Sequence, residues 1–338
     1  MKTGNLEIDS HFRYIDLFCG IGGFRIAATM ASKKVAVSSE CVFSSDIDED
    51  AQKTYEANFG NRPFGDITKI IANEVPDHDL LFGGFPCQPF SIIGDMHGFG
   101  DARGTLFFDI ARILAEKHPR AIVLENVKQL RGHDQGRTLK TILNILDELG
   151  YWVDYRVFNA LDFGLPQKRE RILIVGFLND LHRNFEWPLP GKVARQSLDD
   201  LLEEDETIDP FYFASPKIRK SRKKATKGKS IPEGRTIWHE NKSGNISALP
   251  YSCALRAGAS YNYLLVDGVR RLTMREMLSL QGFPEDFKIA CGYSATRKQA
   301  GNSVPVPMIQ AVIEQVFVAL SEKSPLVNVP SPSKVHPK

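Results

Sequence analysis

The chain has 338 residues, of which 42% are hydrophobic and 25% charged, and its 43 basic and 41 acidic residues leave a net charge of +2. These fractions are ordinary for a soluble globular protein, and the length suits a large domain with a smaller one. No apolar run in the sequence approaches the roughly 18 residues of a membrane span, and the N-terminal residues lack a signal-peptide core. We therefore expect neither an integral membrane protein nor an exported one, and no membrane partner.

The cysteines indicate a reducing environment. There are five of them, an odd number, widely spaced and without a CxxC pair. This pattern argues against a disulfide framework and against a zinc ribbon. We therefore expect a cytoplasmic protein with no metal site.

Short apolar runs alternate with helical patterns over the first 177 residues. The runs predict strands at 14–18, 41–45, 79–84, 121–125, 153–158 and 171–177. Most are continuously apolar, as expected when both faces of a sheet are covered. Apolar stripes at 106–114 and 139–149 predict helices, the second closed by Gly150. Strands alternating with helices predict a doubly wound α/β sheet.

The pattern changes after residue 177. Residues 178–267 are rich in charge, Pro, Gly and Ser, which predicts a second, smaller, irregular domain. Thr273 and Glu276 then form a capping box, and the last helix is predicted to start near 303–305. The Pro- and Ser-rich tail predicts disorder. The expected divisions are therefore 1–177, 178–267, 268–322 and 323–338.

A glycine-rich turn, Asp16-Leu-Phe-Cys-Gly20-Ile-Gly22-Gly23, follows the first strand and opens a helix. It departs from the G-x-G-x-x-G dinucleotide spacing, so alone it indicates a nucleotide site only weakly. Asp46 ends the second strand, where an acidic residue can bind ribose hydroxyls, although a helix N-cap accounts equally well for the nearby Asp48. Asp66 lies where a third strand should end. Together these positions favour an adenosine ligand without a diphosphate, such as S-adenosylmethionine.

Three groups of residues predict chemistry at the same edge of the sheet. A cysteine is most often an inert buried thiol, but Cys87 follows a Gly-Gly strand end and a Phe-Pro pair, where α/β sheets bind ligands. Glu125 ends the fourth strand and is a candidate acid, with a helix N-terminus as the alternative. Arg169 and Arg171 suit a carbonyl oxygen or a phosphate, with a surface salt bridge as the alternative.

The charges of residues 178–267, here called the middle segment, are clustered. Residues 199–209 are acidic, and residues 217–229 carry eight Lys or Arg in thirteen positions. The basic run is either a solvated face or a phosphate-contact surface, and composition does not choose between them.

Several motifs occur in an order that is specific as a set: DLFCGIGGF, SDID, GDIT, FPCQPFS, ENV, QKRERILIVG, RRLTMREMLSLQGFP and GNSVPVP. With them the sequence resembles the C5-cytosine DNA methyltransferases over about 1–177 and 268–320. The resemblance implies a Rossmann-like methyltransferase fold, S-adenosyl-L-methionine as cofactor and double-stranded DNA as substrate. It makes 178–267 the target recognition domain.

The resemblance also implies a role for each matching residue. Cys87 would attack C6 of a flipped-out cytosine, Glu125 would donate a proton to N3, and Arg171 would hold O2. Arg169 would hold the active loop or a phosphate. The cofactor residues would be Asp16, Phe18, Gly20 and Gly23 at the methionine end, Asp46 at the ribose, Ile47, Asp66 and Ile67 at the adenine, with Asn302, Ser303 and Val304 closing the site. Contacts to DNA are expected from Ser91, from Lys223 and Lys224, and from the base-reading candidates Arg256, Asn262 and Arg235.

Three alternatives remain. The first is cytosine-5 methylation of transfer RNA, against which the long basic middle segment argues. A catalytically silent DNA-binding module is the second, and it conflicts with the presence of Cys87 and Glu125. The third is a nicotinamide oxidoreductase, which the glycine spacing disfavours. Because the family is mostly found in restriction–modification systems, we expect a cognate restriction endonuclease to accompany this protein. We also expect the protein to be a monomer.

Overall fold

The computed structural model of the chain describes residues 11–86, 106–178 and 185–321, and its central feature is a six-stranded sheet. The sheet strands are β1 (His11–Leu17), β2 (Ser38–Ser45), β3 (Leu80–Gly84), β4 (Ala121–Val127), β5 (Tyr151–Asn159) and β7 (Glu170–Leu178), and a short β6 (Gln167–Lys168) precedes β7. All six predicted strands are confirmed.

The strand order is β2-β1-β3-β4-β7-β5. Five strands run in the same direction, and β7, between β4 and β5, runs in the opposite direction. The carboxyl ends of β1 to β4 therefore meet at one edge of the sheet, here called the carboxyl edge. Because β7 is inverted, its first residues lie at that same edge, with Arg171 opposite Val127. A connection as short as that from β5 to β7 joins antiparallel strands, whereas parallel strands need a crossover of a dozen or more residues.

Helices cover both faces of the sheet, which confirms the doubly wound prediction. They are α1 (Gly23–Lys34), α2 (Glu49–Phe59), α3 (Leu106–Lys117) and α4 (Arg137–Glu148). Alternate residues of β1 belong to two separate cores: Phe12 and Tyr14 pack with α1, and Ile15 and Leu17 with α3. Gly150 follows α4 with a φ of 88° and donates its N–H to Asp147, as the sequence predicted.

A further strand, expected between β2 and β3 and ending at Asp66, is not a strand in the structure. Only an isolated bridge joins Ser45 to Phe64, and Asp66 caps a short 3-10 helix, Ile67–Lys69. The Asp66 carboxylate accepts the backbone N–H of Thr68, so the chain turns there instead of extending.

The described part of the middle segment contains two short α-helices, α5 (Leu198–Leu201) and α6 (Pro216–Ala225). Its three-stranded antiparallel sheet has the order β11-β8-β9, with β8 (Ile237–Glu240), β9 (Ile246–Leu249) and β11 (Leu264–Val266). A further strand, β10 (Ser252–Cys253), pairs in parallel with β6. The middle segment is thus joined by backbone hydrogen bonds to the chain that leads into β7.

The C-terminal segment forms α7 (Met274–Ser279), α8 (Tyr293–Asn302) and α9 (Val306–Ser321). The Thr273–Glu276 capping box is confirmed, and the last helix begins at Val306, directly after the predicted start. Helix α8 was not predicted. The segment returns to the first strand, where Phe317 stacks on Phe12 with ring centroids 5.1 Å apart.

Among the described residues, one stretch, Tyr293–Ser321, which spans α8 and α9, is long and apolar enough to cross a membrane. However, 72% of its most apolar 18-residue window is buried inside the protein. It is therefore a core element of this fold.

Candidate active site

A cavity of about 740 Å³ opens at the carboxyl edge of the sheet. This volume lies in the range of small-molecule sites. Ten of the predicted site residues line the cavity: Phe18, Gly20, Asp46, Ile47, Asp66, Ile67, Glu125, Arg169, Arg171 and Asn302. The structure thus brings together residues that are almost 300 positions apart in the sequence.

Glu125 and Arg171 form an ion pair in this cavity, with Arg171 Nε 2.6 Å from Glu125 Oε1. Both side chains are nearly buried, and in the antiparallel register Glu125 lies opposite Leu173, two residues beyond Arg171. The two side chains therefore project from the same face of adjacent strands, as diagonal neighbours. The pair presents one carboxyl group and one guanidinium group to a ligand in the cavity.

Asn126 connects β4 to the segment that leads to Cys87. Its side-chain Nδ2 donates to the carbonyl of Phe85 at 2.9 Å, and only 2% of the residue is exposed. The bond fixes the backbone two residues before the candidate nucleophile. Cys87 itself, like Ser91, lies outside the described residues. Sequence reasoning gave Asn126 no role, although it belongs to the ENV motif.

Arg169 lines the cavity but is only 1% exposed. Its guanidinium donates to three backbone carbonyls, those of Leu255, Gly301 and Ser303, at 2.6–2.9 Å. Burial and the neighbouring Arg171 lower the pKa of Arg169 to about 9. Arg169 thus holds backbone through Nη1 and Nη2, whereas its Nε has no hydrogen-bond partner in the described ranges.

The glycine-rich turn and the end of β2 are held together by Asp46. Its carboxylate accepts the backbone N–H of Gly20 at 2.7 Å and that of Asp48 at 2.8 Å. Burial raises the pKa of Asp46 above its ordinary value, although these hydrogen bonds oppose the shift. One backbone N–H on each oxygen leaves lone pairs that can accept ligand hydroxyls.

Ile47 and Lys298 form the outer rim of the cavity. Ile47 is 72% exposed, an unusual position for an apolar side chain and one that a ligand could cover. Lys298, on α8, forms an ion pair of 2.6 Å with Asp48 across the rim. Sequence reasoning missed Lys298, because α8 itself was not predicted.

Four predicted cofactor residues do not line the cavity: Asp16, Gly23, Ser303 and Val304. Gly23 packs against the other end of the chain, since a Cβ there would lie 2.7 Å from Val304 Cγ2. Asp16 is fully buried, and neither of its carboxylate oxygens has a hydrogen-bond partner in the described ranges. Burial therefore raises the pKa of Asp16 well above its ordinary value.

The three base-reading candidates differ in what their side chains do. Arg256 is exposed, with its guanidinium 4.7 Å from the ring centre of Tyr263. Asn262 is half-buried, and its backbone carbonyl accepts from Arg222. Arg235 is bound at 2.7 Å to both Asp205 and Asp267. Its charge is neutralised inside the middle segment.

Helix α6 and the turn after it carry the basic run. Arg222 points inward to Glu240, whereas the seven other cations of the run are exposed: Lys217, Arg219, Lys220, Lys223, Lys224, Lys227 and Lys229. None of the seven forms an ion pair in the part of the chain that the structure describes. The acidic run does not neutralise them, since Asp205 binds Arg235 and Arg270 instead.

The sequence is similar to proteins of one known family. The profile of the C-5 cytosine-specific DNA methylase family matches residues 12–318. The Type II methyltransferase M.NgoBI of Neisseria gonorrhoeae is 54% identical over 315 residues, covering 92% of this chain and 96% of the relative. The Type II methyltransferase M.HaeII of Haemophilus aegyptius is also 54% identical, over 312 residues, covering 92% and 94%.

Solved structures show the same fold at low sequence identity. A putative DNA modification methyltransferase encoded within an E. coli prophage superposes with a TM-score of 0.70 at 20% identity, covering 92% of this chain and all of that one. A DNMT2 mutant of Spodoptera frugiperda superposes with a TM-score of 0.64, also at 20% identity, covering 91% of this chain and all of that one.

The family match spans almost the whole described chain and includes every strand of the sheet, the cavity and the Glu125–Arg171 pair. Two close relatives agree over nearly their full lengths. The chain therefore belongs to the C-5 cytosine-specific DNA methylase family and is a DNA cytosine-5 methyltransferase that uses S-adenosyl-L-methionine.

Proposed function

We propose that this chain methylates cytosine in a specific duplex DNA sequence through a covalent bond between Cys87 and C6 of the base. The observation that carries this proposal is the ion pair of Glu125 and Arg171 in the cavity that also contains Asp46. One cavity thus offers an acid, a cation and a ribose-binding carboxylate.

The proposed reaction begins with addition of the Cys87 thiolate to C6. Negative charge then develops on the ring, and Glu125 donates a proton to N3 while Arg171 binds O2. With the ring neutralised, C5 becomes an enamine carbon and takes the methyl group. A water molecule removes the C5 proton, the N3 proton returns to Glu125, and elimination breaks the S–C6 bond and releases the Cys87 thiolate.

The target base must leave the duplex for this chemistry, because stacking covers C5 and C6. Flipping a base out costs a few kcal/mol. The same Glu125 and Arg171 would hold the flipped ring by its N3 and O2 atoms. We propose that Ser91 contacts a phosphate near the flipped nucleotide, as the resemblance implies.

The cavity fits S-adenosyl-L-methionine, which supplies an electrophilic methyl group when bound. Asp46 would accept the ribose hydroxyls, and Ile47, Asp66 and Ile67 would surround the adenine. Phe18, Gly20 and Asn302 would lie next to the remaining part of the bound cofactor. We propose that Gly23, Ser303 and Val304 act by packing the two ends of the chain together. The Asp16 carboxylate, whose oxygens have no partner in the described ranges, is proposed for the methionine end, as the resemblance implies.

Asp46→Asn is expected to weaken binding of S-adenosyl-L-methionine about tenfold or more, because hydrogen bonds to a charged acceptor are the stronger ones. Isothermal titration calorimetry measures this directly. As burial raises the pKa of Asp46, wild-type affinity should fall on acidification at a higher pH than an ordinary aspartate gives.

Glu49→Gln is the matched control, since Glu49 is an exposed carboxylate at the same cavity. It should bind the cofactor as the wild type does. Equal affinities of wild type, Asp46→Asn and Glu49→Gln would remove Asp46 from the proposed ribose site.

We propose that the exposed face of α6 contacts the DNA backbone. Its cations are exposed and form no ion pair in the described ranges, which is the condition for releasing counterions from a polyanion. Such contacts position the protein without reading sequence. Arg256, which is exposed on the loop after β10, is the best-placed base-reading candidate of the three.

Lys223→Gln with Lys224→Gln should lower affinity uniformly across DNA sequences. It should also reduce the slope of log affinity against log salt by about two, because each neutralised lysine leaves one phosphate without its cation. Fluorescence anisotropy at several salt concentrations measures both effects. The control neutralises Lys69 and Lys140, two exposed lysines outside the middle segment. If the two double variants bind alike, α6 does not contact DNA.

DNA, and not transfer RNA, is the substrate that the family match favours. The test compares methyl transfer to duplex DNA and to transfer RNA under the same conditions, with 5-methylcytosine quantified by mass spectrometry. Transfer confined to RNA would overturn the proposal.

We further propose that residues 178–267 form the target recognition domain between two parts of a catalytic domain, 1–177 and 268–322. The protein is proposed to act as a cytoplasmic monomer. Restriction–modification is its proposed setting, because the relatives are named Type II methyltransferases. A cognate endonuclease would then recognise the same sequence.

A further inference from the structure

Three buried polar side chains outside the catalytic pair form a network where the middle segment meets the catalytic residues. They are Gln167, Arg169 and Gln281, and each is at most 1% exposed. Gln167 lies four positions before Arg171, and Arg169 two positions before it. No step of the proposed reaction uses Gln167 or Gln281.

The network forms hydrogen bonds to both the backbone N–H and the backbone carbonyl of a single residue of the middle segment. Gln167 Oε1 accepts the N–H of Leu255 at 3.0 Å, and Arg169 Nη1 donates to the carbonyl of Leu255 at 2.9 Å. We call these two contacts the Leu255 clamp. The backbone just before it is also fixed, because Ser252 donates its N–H to the carbonyl of Pro166 at 2.8 Å.

The Leu255 clamp stands at the start of the loop that carries Arg256. Beyond the clamp, the N–H of Arg256 donates to the hydroxyl of Tyr263 at 2.9 Å. On the other side, Gly301 leaves no room for a side chain, since a Cβ there would lie 2.4 Å from the backbone nitrogen of Ala257. The loop is therefore fixed at its first residues against both β6 and α8.

From this geometry we infer that Gln167 and Arg169 are positioning residues. They set the distance between the loop after β10 that carries Arg256, here called the base-reading loop, and the Glu125–Arg171 pair. The inference rests on the proposed function, in which Arg256 faces the DNA. Since the clamp and Arg171 belong to one short stretch of chain, a loop displaced by a wrong sequence would strain the active site. Sequence selectivity would then appear in the rate of methyl transfer as well as in affinity.

The second part of the network provides a control. Gln281 is fully buried, accepts from Gln167 Nε2 at 3.2 Å and donates to the carbonyl of Ala300 at 2.6 Å. Its side chain makes no hydrogen bond to Leu255 in the described residues. Gln167→Met and Gln281→Met therefore remove the same chemical group from the same buried network, and only the first releases the clamp.

The experiment maps methylated cytosines in DNA incubated with each purified protein and S-adenosyl-L-methionine, compared at equal total methylation. Gln167→Met should lower the rate ratio of preferred to next-best sites about tenfold, because a lost buried hydrogen bond leaves its partner unsatisfied. Gln281→Met should lower the melting temperature by a similar amount and keep the wild-type ratio. Arg169→Lys, which keeps the charge but lacks the forked donors, should resemble Gln167→Met.

Thermal unfolding and cofactor binding test whether each variant is folded. If Gln167→Met does not fold, Arg169→Lys takes its place as the clamp variant. The inference is overturned if the folded clamp variants keep the wild-type ratio. It is equally overturned if Gln281→Met relaxes selectivity as much as they do, or if they bind cofactor but methylate no site. A wild-type protein that forms no 5-methylcytosine would contradict the proposed function instead.

Discussion

Cys87→Ser is expected to abolish methylation while the fold and cofactor binding persist. A serine hydroxyl is far less acidic and less nucleophilic than a thiol, so addition to C6 would fail. Transfer of a radiolabelled methyl group to DNA measures the loss. Cofactor affinity and melting temperature, measured on the same preparation, should match those of the wild type.

Cys291→Ser is the matched control for this substitution. The Cys291 thiol contacts the backbone carbonyl of Asp50 at 3.5 Å, and a serine hydroxyl can replace that contact. Full activity is expected. Turnover by Cys87→Ser at a comparable rate would mean that the nucleophile is a different residue, and the proposed covalent mechanism would be wrong.

The covalent bond can also be observed directly. With duplex DNA in which fluorine replaces the C5 hydrogen of the target cytosine, no C5 proton can be removed and elimination of the thiol is blocked. Wild-type protein should then form a complex with DNA that survives denaturation and is visible by mass spectrometry. Cys87→Ser should form none.

Glu125→Gln should slow the chemical step by at least about two orders of magnitude. The amide keeps the size of the side chain, but it cannot transfer a proton to N3, and general acid catalysis contributes about 10²–10⁴-fold. The carboxylate that pairs with Arg171 is also lost. Single-turnover kinetics at saturating DNA and cofactor isolate this step from binding.

Glu314→Gln tests whether loss of any buried, paired carboxylate would have the same effect. Glu314 is 7% exposed and pairs with Lys34 at 2.9 Å, and it does not line the cavity. The variant should be less stable but catalytically normal. Near-normal single turnover by Glu125→Gln would refute the proposed acid.

The order of residues along the chain was sufficient to predict the sheet. The central strands β3, β4 and β7 are largely apolar runs, and burial on both faces requires that composition. Local chemistry at the strand ends likewise indicated Asp46, Glu125 and Arg171, which line the cavity. The resemblance to the family added cavity residues that local chemistry does not single out, namely Phe18, Ile47, Ile67 and Asn302.

Features that depend on contacts between distant segments could not be inferred in this way. The inversion of β7, which places Arg171 beside Glu125, depends on which strand it pairs with. Arg235 and Arg256 have the same side chain in the same segment, yet one is neutralised by two aspartates and the other is exposed. A guanidinium binds whichever acceptors the fold places near it, so only the tertiary structure decided that Arg169 supports the backbone.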